Sequence, residues 1–314
     1  MAGNSFPITN YPNGFSSVVT ILGQPILSLQ SNNVWWVDSV TGSDGNPGTF
    51  QRPFATLARA TDFMAAGDTI MVAANHTETW SAASTMVMDV ASVRVIGLGV
   101  GQSRPSFTLD TSTATTVNVS AAGVTFSNCR FLAGVSALVS FFTLTTAASF
   151  TLDGCRFAKT STNYAQYVID TGTTDNAVDG LTIANCEWYD ASTSTVSMVK
   201  LDGTANAVRL VNNWIQLGLN NDNGAAINCA TGKFLTNFFG AGNRVVRLIT
   251  SDTGGGFINS DTTTHTGMLA DNYMQVNMAG TPIWIVASSG LAFMENYISG
   301  VVGASGFILP ARDS

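Results

Sequence analysis

Val124-Thr125-Phe126-Ser127-Asn128-Cys129-Arg130-Phe131 is matched closely by Phe150-Thr151-Leu152-Asp153-Gly154-Cys155-Arg156-Phe157. A third copy, Leu181-Thr182-Ile183-Ala184-Asn185-Cys186-Glu187-Trp188, follows in turn. The pattern continues from Val208 through Asn213 to Ile215, and again from Leu291 through Asn296 to Ile298. Looser copies run over residues 232–239 and 267–274, and Val93-Arg94-Val95 begins an earlier one. The rule is apolar at positions 1, 3 and 8, with Asn, Asp or Gly common at position 5 and Cys or Asn at position 6. Alternation over positions 1 to 3 predicts a strand, the small polar pair a bend, and position 8 a return to the interior.

A second register supports the first. Phe107-Thr108-Leu109-Asp110, Tyr167-Val168-Ile169-Asp170, Val199-Lys200-Leu201-Asp202, Ala226-Ile227-Asn228 and Phe257-Ile258-Asn259 each end an apolar strand in Asp or Asn. Two short strands per unit of about 27 residues, joined by loops of varying length, predict an all-β, right-handed parallel β-helix. Stacked coils lie about 4.8 Å apart, so roughly eight of them give a body on the order of 40 Å long. A β-sandwich or a propeller is the competing fold, and a propeller needs repeats of about 40 residues or more.

Composition agrees. Charged residues make up only 11% of the chain, with Lys159, Lys200 and Lys233 its three lysines and Glu78, Glu187 and Glu295 its three glutamates. Helix-rich proteins lean on those residue types for their exposed faces. The eighteen Phe and six Trp argue against disorder. A net charge of −7 excludes a basic face for nucleic acid, and no apolar run reaches the length of a membrane span. The N-terminus has neither a basic start nor an apolar signal core, so folding in a reducing cytoplasm is expected.

Residues 1–33 read as an extended N-terminal arm, punctuated by Pro7, Pro12, Pro25 and Asn13-Gly14. Its aromatic residues Phe6, Tyr11 and Phe15 cannot be buried by so short a segment, so the arm is either a strap along the body or an anchor on a partner. Residues 34–314 form the body. Its cap, residues 34–90, contains the strand Val34-Trp35-Trp36-Val37, a short helix with apolar residues at 54, 57, 60, 63 and 64, and the strand Thr69-Ile70-Met71-Val72. The coils occupy about residues 91–300. A plug of this kind closes the open end of a solenoid, which would otherwise expose core.

Two resemblances rest on these stretches. Gly42-Ser43-Asp44-Gly45-Asn46-Pro47-Gly48-Thr49, Pro53-Phe54-Ala55-Thr56-Leu57 and Gly67-Asp68-Thr69-Ile70-Met71-Val72 together resemble the entry segment of pectate-lyase-like right-handed β-helix proteins. Asn10-Tyr11-Pro12-Asn13-Gly14-Phe15 and residues 18–27 resemble the arm of tailspike-like β-helix virion proteins of tailed bacteriophages. That second resemblance implies a homotrimeric decoration or fibre on the exterior of a phage head, assembled in the host cytoplasm. The arm would hold it to the major capsid protein or another head protein, and a host surface glycan is a further implied partner.

The candidate chemistry is sparse. Cys129, Cys155 and Cys186 share position 6, where later copies place Asn213, Asn237, Asn272 and Asn296, so one row of thiols should continue into a row of amides. Buried packing thiols are the expected reading, and zinc is not expected. Asp170 and Asp202 end equivalent strands. They are either turn-forming residues or a carboxylate pair at about the 5 Å separation of a retaining glycosidase. Asp175 and Asp179 flank one loop and are a weak cation candidate. Arg130 and Arg156 point outward at position 7, either towards an anionic or carbonyl partner or paired with Asp153. Tyr164 and Tyr167 are candidates for stacking on glycans. No catalytic, cofactor or metal site is expected, and the arm residues Phe6, Tyr11 and Phe15 are the expected interaction site. The chain is expected to be a non-enzymatic structural virion protein. The alternative is a tailspike that binds or degrades bacterial surface polysaccharide.

Overall fold

The computed structural model describes residues 20–21, 24–25, 33–81, 86–160, 162–189, 196–217, 224–247, 257–262, 264–278, 290–301 and 309–310. Its body is a parallel β-solenoid. Two 10-stranded sheets and one 7-stranded sheet run its length, and within each sheet the hydrogen-bonded neighbours come from successive coils. One coil shows the plan. Thr125–Ser127 lies in the first sheet, Arg130–Ala133 in the second and Leu138–Leu144 in the third, and Thr151–Asp153 then returns to the first. Each of these strands pairs in parallel with its counterpart one coil on.

Coils therefore carry three strands, not two. The second register read from the sequence mixes two sheets. Phe107 and Leu109 belong to Ser106–Leu109 of the second sheet, whereas Tyr167–Asp170 lies within Ala165–Thr171 of the third. Asp110 follows its strand at a corner, where turns favour that residue type, whereas Asp170 lies inside its strand and pairs with Lys200 on the next coil.

Position 5 of the repeat has a backbone cause. Asn128, Gly154, Asn185, Asn212, Gly242, Asp271 and Glu295 all have φ between 52° and 66°. Only Gly, and next to it Asn and Asp, adopts the left-handed conformation at low cost. Each such residue turns the chain sharply from the first sheet to the second. Position 8 then points inward, and in-register parallel strands stack its side chains along the axis. Phe107, Phe131 and Phe157 form that stack with centroids 5.6 and 5.5 Å apart. Each is fully buried, which contributes about 1.5–3 kcal/mol by area, and the stacking adds about 0.5–1.5 kcal/mol per pair.

Position 6 makes the row of thiols and amides. The backbone N–H of Cys186 donates to Oδ1 of Asn213, 27 residues on. Asn213, Asn243, Asn272 and Asn296 continue the row, each backbone N–H donating to the next Oδ1 at spacings of 30, 29 and 24 residues. Each side-chain amide also donates to a first-sheet carbonyl of the preceding coil. The row thus runs through Asn243, not Asn237. Gly240 stands at the apolar position 3, and a Cβ there would lie 2.7 Å from Leu269 and 3.0 Å from the Phe238 ring. The glycine makes room for Phe238, whose ring is buried. Without an apolar residue at position 3, this copy of the repeat is hidden, and residues 232–239 mimic it six positions early.

At the N-terminal end the helix is shorter than its apolar period implies, Leu57–Thr61, with Thr56 as N-cap. Leu57 and Ala60 are fully buried in the same core as the phenylalanine stack. A buried network ties the cap to the second sheet. Glu78 accepts from the Leu57 N–H at 2.7 Å and from Trp80 Nε1 at 2.8 Å. Nδ1 of His76 accepts from the Ser39 N–H, which leaves Nε2 to donate to Glu78 at 3.2 Å. Among the described residues no helix is long and apolar enough to cross a membrane.

Candidate functional site

Because position 8 points inward, positions 7 and 9 of the second sheet face outward. Strand registers place Ser106, Arg130, Arg156, Glu187, Trp214, Arg244, Tyr273 and Tyr297 on successive rungs at position 7. Towards the C-terminal end the row is aromatic. Arg244 lies between two rings, its guanidinium carbon 5.3 Å from the Trp214 centroid and 5.6 Å from that of Tyr273. Trp214 and Tyr297 are each 39% exposed, and Tyr189, at position 9, is 55% exposed. Stacked rungs, about 4.8 Å apart, thus carry aromatic rings interleaved with a cation on the outward side of the sheet. Rings of this kind stack on the apolar faces of sugars, while the guanidinium donates to hydroxyls and carboxylates.

Towards the other end the row is cationic. Arg130 Nη1 donates to Gln102 Oε1 at 3.1 Å, and Arg156 lies 3.6 Å from the Glu187 carboxylate. Arg156 is therefore not paired with Asp153, whose carboxylate instead accepts from Asn185 Nδ2 at 2.8 Å. The reason is geometric: Glu187 occupies the adjacent rung of the same outward row, whereas Asp153 lies across the bend in the first sheet. Burial, together with the neighbouring Arg156 charge, lowers the pKa of Arg130.

A second cluster lies on the third sheet. The residue registered with Asp170 is Lys200, not Asp202. Lys200 Nζ bridges the two carboxylates, at 3.2 Å from Asp170 and 2.7 Å from Asp202, and sits 5.7 Å from the Tyr167 ring centroid. Burial pushes the Asp170 carboxyl above its usual range, against the opposing effect of Lys200. Burial also acts to lower the Lys200 pKa, but the two carboxylates outweigh it and hold the ammonium above its ordinary value. Tyr164 and Tyr167 are only partly exposed, and burial raises the Tyr167 phenol.

The remaining candidates serve the coil-to-coil scaffold. All four cysteines are free and buried. Burial raises the thiols of Cys129 and Cys186 well above their usual range and that of Cys229 to about 12, so they are held as unreactive thiols. Asp175 accepts from the Thr204 N–H and from Lys233, and Asp179 accepts from the Asn206 N–H. Their carboxylates thus fasten neighbouring coils and do not converge on a cation. Among the described residues no group of three or more His, Cys, Asp or Glu side chains is arranged to hold a metal. Phe6, Tyr11 and Phe15 lie outside the described residues.

No family model matches the chain, and no curated protein does. Solved structures similar to it include a rhamnogalacturonan lyase at 14% identity and a TM-score of 0.46, over 84% of this chain and 87% of the other. The pectate lyase Pel9A is similar at 11% identity and 0.47, over 88% and 82%. A lacto-N-biosidase from Eubacterium ramulus is similar at 8% and 0.46, over 85% and 68%. ORF18 of Geobacillus virus E2 is similar at 11% and 0.32, over 77% and 55%. The likeness is one of fold. The expectation of a non-enzymatic chain is corrected by these neighbours, three of which are enzymes named for carbohydrate chemistry.

Sequence reasoning named Arg130 and Arg156 but missed the rest of the row. The signal was position 7 of the repeat, where Trp214 and Tyr297 already stand in recognised copies. Arg244 stayed hidden behind the slipped register, because in the 232–239 frame it has no repeat position at all.

Proposed function

We propose that this β-helix engages an extended polysaccharide along the outward face of its second sheet, as a tailspike-like component of a tailed-bacteriophage particle. The observation that carries the reading is the succession of Trp214, Arg244, Tyr273 and Tyr297 on consecutive rungs. Stacking surfaces repeated at the coil spacing suit a repetitive, linear ligand better than a compact one. The particle setting draws on residues 10–27, whose resemblance implies a homotrimer on the head exterior held through Phe6, Tyr11 and Phe15. The test is calorimetric titration of the full chain with polysaccharide extracted from the host surface. Trp214→Ala and Tyr297→Ala should each weaken binding about tenfold or more, with the thermal midpoint unchanged. Equal affinity in both variants and the wild type would remove the reading.

Cleavage of the bound polysaccharide is a second reading, favoured by the two carboxylates held on Lys200. In it Asp170, with its raised pKa, serves as the acid and Asp202 as the second carboxylate. Release of reducing ends by the wild type, lost in Asp170→Asn and in Asp202→Asn, is its expected signature. Activity equal in all three proteins would exclude these residues.

A further inference from the structure

The cationic end of the outward row is chemically unlike its aromatic end. Parallel pairing puts Arg130 directly against Arg156 on neighbouring coils. Like charges on adjacent rungs repel each other, and a sheet gains nothing structural from the arrangement. The usual compensation is carboxylates between or beside them, and here it is thin. Arg130 has a neutral partner, Gln102. Arg156 has one carboxylate, Glu187, at the looser distance of 3.6 Å, and that carboxylate is itself 54% exposed. The pair stands on a chain of net charge −7, so this concentration of positive charge runs against the charge of the whole molecule.

Both guanidiniums have buried Nε atoms without a hydrogen-bond partner. Gln102 holds Nη1 of Arg130 and Glu187 lies beside Nε of Arg156, so the remaining outer nitrogens are the donors a ligand meets. Two planar forks on successive rungs suit a carboxylate better than a hydroxyl. Glu187 marks the boundary. Placed between Arg156 and Trp214, it separates the arginine pair from the aromatic stretch, where Arg244 is the one cation of the row.

We propose that Arg130 and Arg156 form an anionic subsite at one end of the outward row, taking a carboxylate-bearing sugar of the polysaccharide that stacks on Trp214, Tyr273 and Tyr297. This rests on the polysaccharide reading above and adds to it a substrate class, acidic glycans, and a fixed polarity along the helix axis. Binding then has an electrostatic part that salt screens and a stacking part that it does not.

The probes are a short β-1,4-linked oligomannuronate and the same oligomer with its carboxylates reduced to alcohols, titrated into the full chain at low and at high salt. The wild type should bind the acidic oligomer at least tenfold more tightly, and high salt should erase the difference. Arg130→Ser with Arg156→Ser should lose that preference while binding the neutral oligomer as before, and Glu187→Gln should tighten the acidic oligomer alone. The proposal is overturned by a wild type that does not discriminate, or by a double variant that still does. If the neutral oligomer binds without discrimination and Trp214→Ala abolishes its binding, the subsite fails and the polysaccharide reading stands. If neither oligomer binds the wild type, the subsite fails whatever other glycan the chain takes. Thermal melts of each variant separate lost binding from lost fold.

Discussion

Replacing Asn272 with alanine should cost about 2–6 kcal/mol, far more than the size of the side chain implies. Asn272 is fully buried. Its Oδ1 accepts from the backbone N–H of Asn243 at 3.0 Å and from Asn243 Nδ2 at 2.8 Å. Its own amide donates to the Gly240 carbonyl at 2.8 Å and to Asn296 Oδ1 at 2.9 Å. Alanine leaves the Asn243 N–H and the Gly240 carbonyl buried without these partners. Each such group costs about 1–3 kcal/mol, and the two together give the range. Asn243 Nδ2 keeps Leu210 and Asn296 Oδ1 keeps the Asn272 backbone, so those ends add little. Urea unfolding followed by far-ultraviolet circular dichroism gives the difference, with Gln275→Ala, at an exposed position of the neighbouring strand, as the control within about 0.5 kcal/mol. A loss below about 1 kcal/mol for Asn272→Ala would refute the claim that the amide row holds the coils together.

Glu295 is the one residue at a left-handed position 5 that is neither Gly, Asn nor Asp, and its φ is 52°. Its side chain is exposed, so Glu295→Gly should stabilise the chain by about 1 kcal/mol, read as a raised urea midpoint; a lowered midpoint would contradict the backbone account. Lys200→Met leaves Asp170 and Asp202 without their shared cation and should destabilise the fold by about 1–2 kcal/mol at neutral pH, after discounting for partial exposure. The raised Asp170 pKa means that its protonated form fits the fold better. Its favourable contribution is complete below the usual carboxylate range and is lost as pH rises through the folded value. The Lys200→Met deficit should therefore shrink on acidification, and a deficit that is flat with pH would count against the charge argument. In the wild type the raised Lys200 pKa predicts the matching loss at alkaline pH, as that ammonium deprotonates in the fold.

Much of the coil was readable because three positions of the repeat tolerate few residues. Position 5 needs a left-handed backbone, position 6 a small buried donor or acceptor, and position 8 a large apolar side chain. Asn128, Cys129 and Phe131 meet all three, and the neighbouring copies follow. The third-sheet strands meet no such fixed rule. They range from two residues at Ile258–Asn259 to seven at Ala165–Thr171, and the loops around them vary in length, so they merged with second-sheet strands in the sequence. The amide row was placed correctly except where Gly240 withdrew the apolar signal. The outward row was least legible. Folding asks little of a solvent-facing residue, so Arg130, Trp214 or Tyr297 acquires meaning only once the register puts its neighbours beside it.

Hydroxyl-radical footprinting of the full chain, with and without host surface polysaccharide, tests the binding face most directly. Trp214, Tyr273, Tyr297 and Tyr189 should each lose reactivity when the polysaccharide is present. Phe50, 67% exposed at the capped end, should stay as reactive as before. Protection at Phe50 or around Tyr167, with the outward row of the second sheet unchanged, would contradict the account.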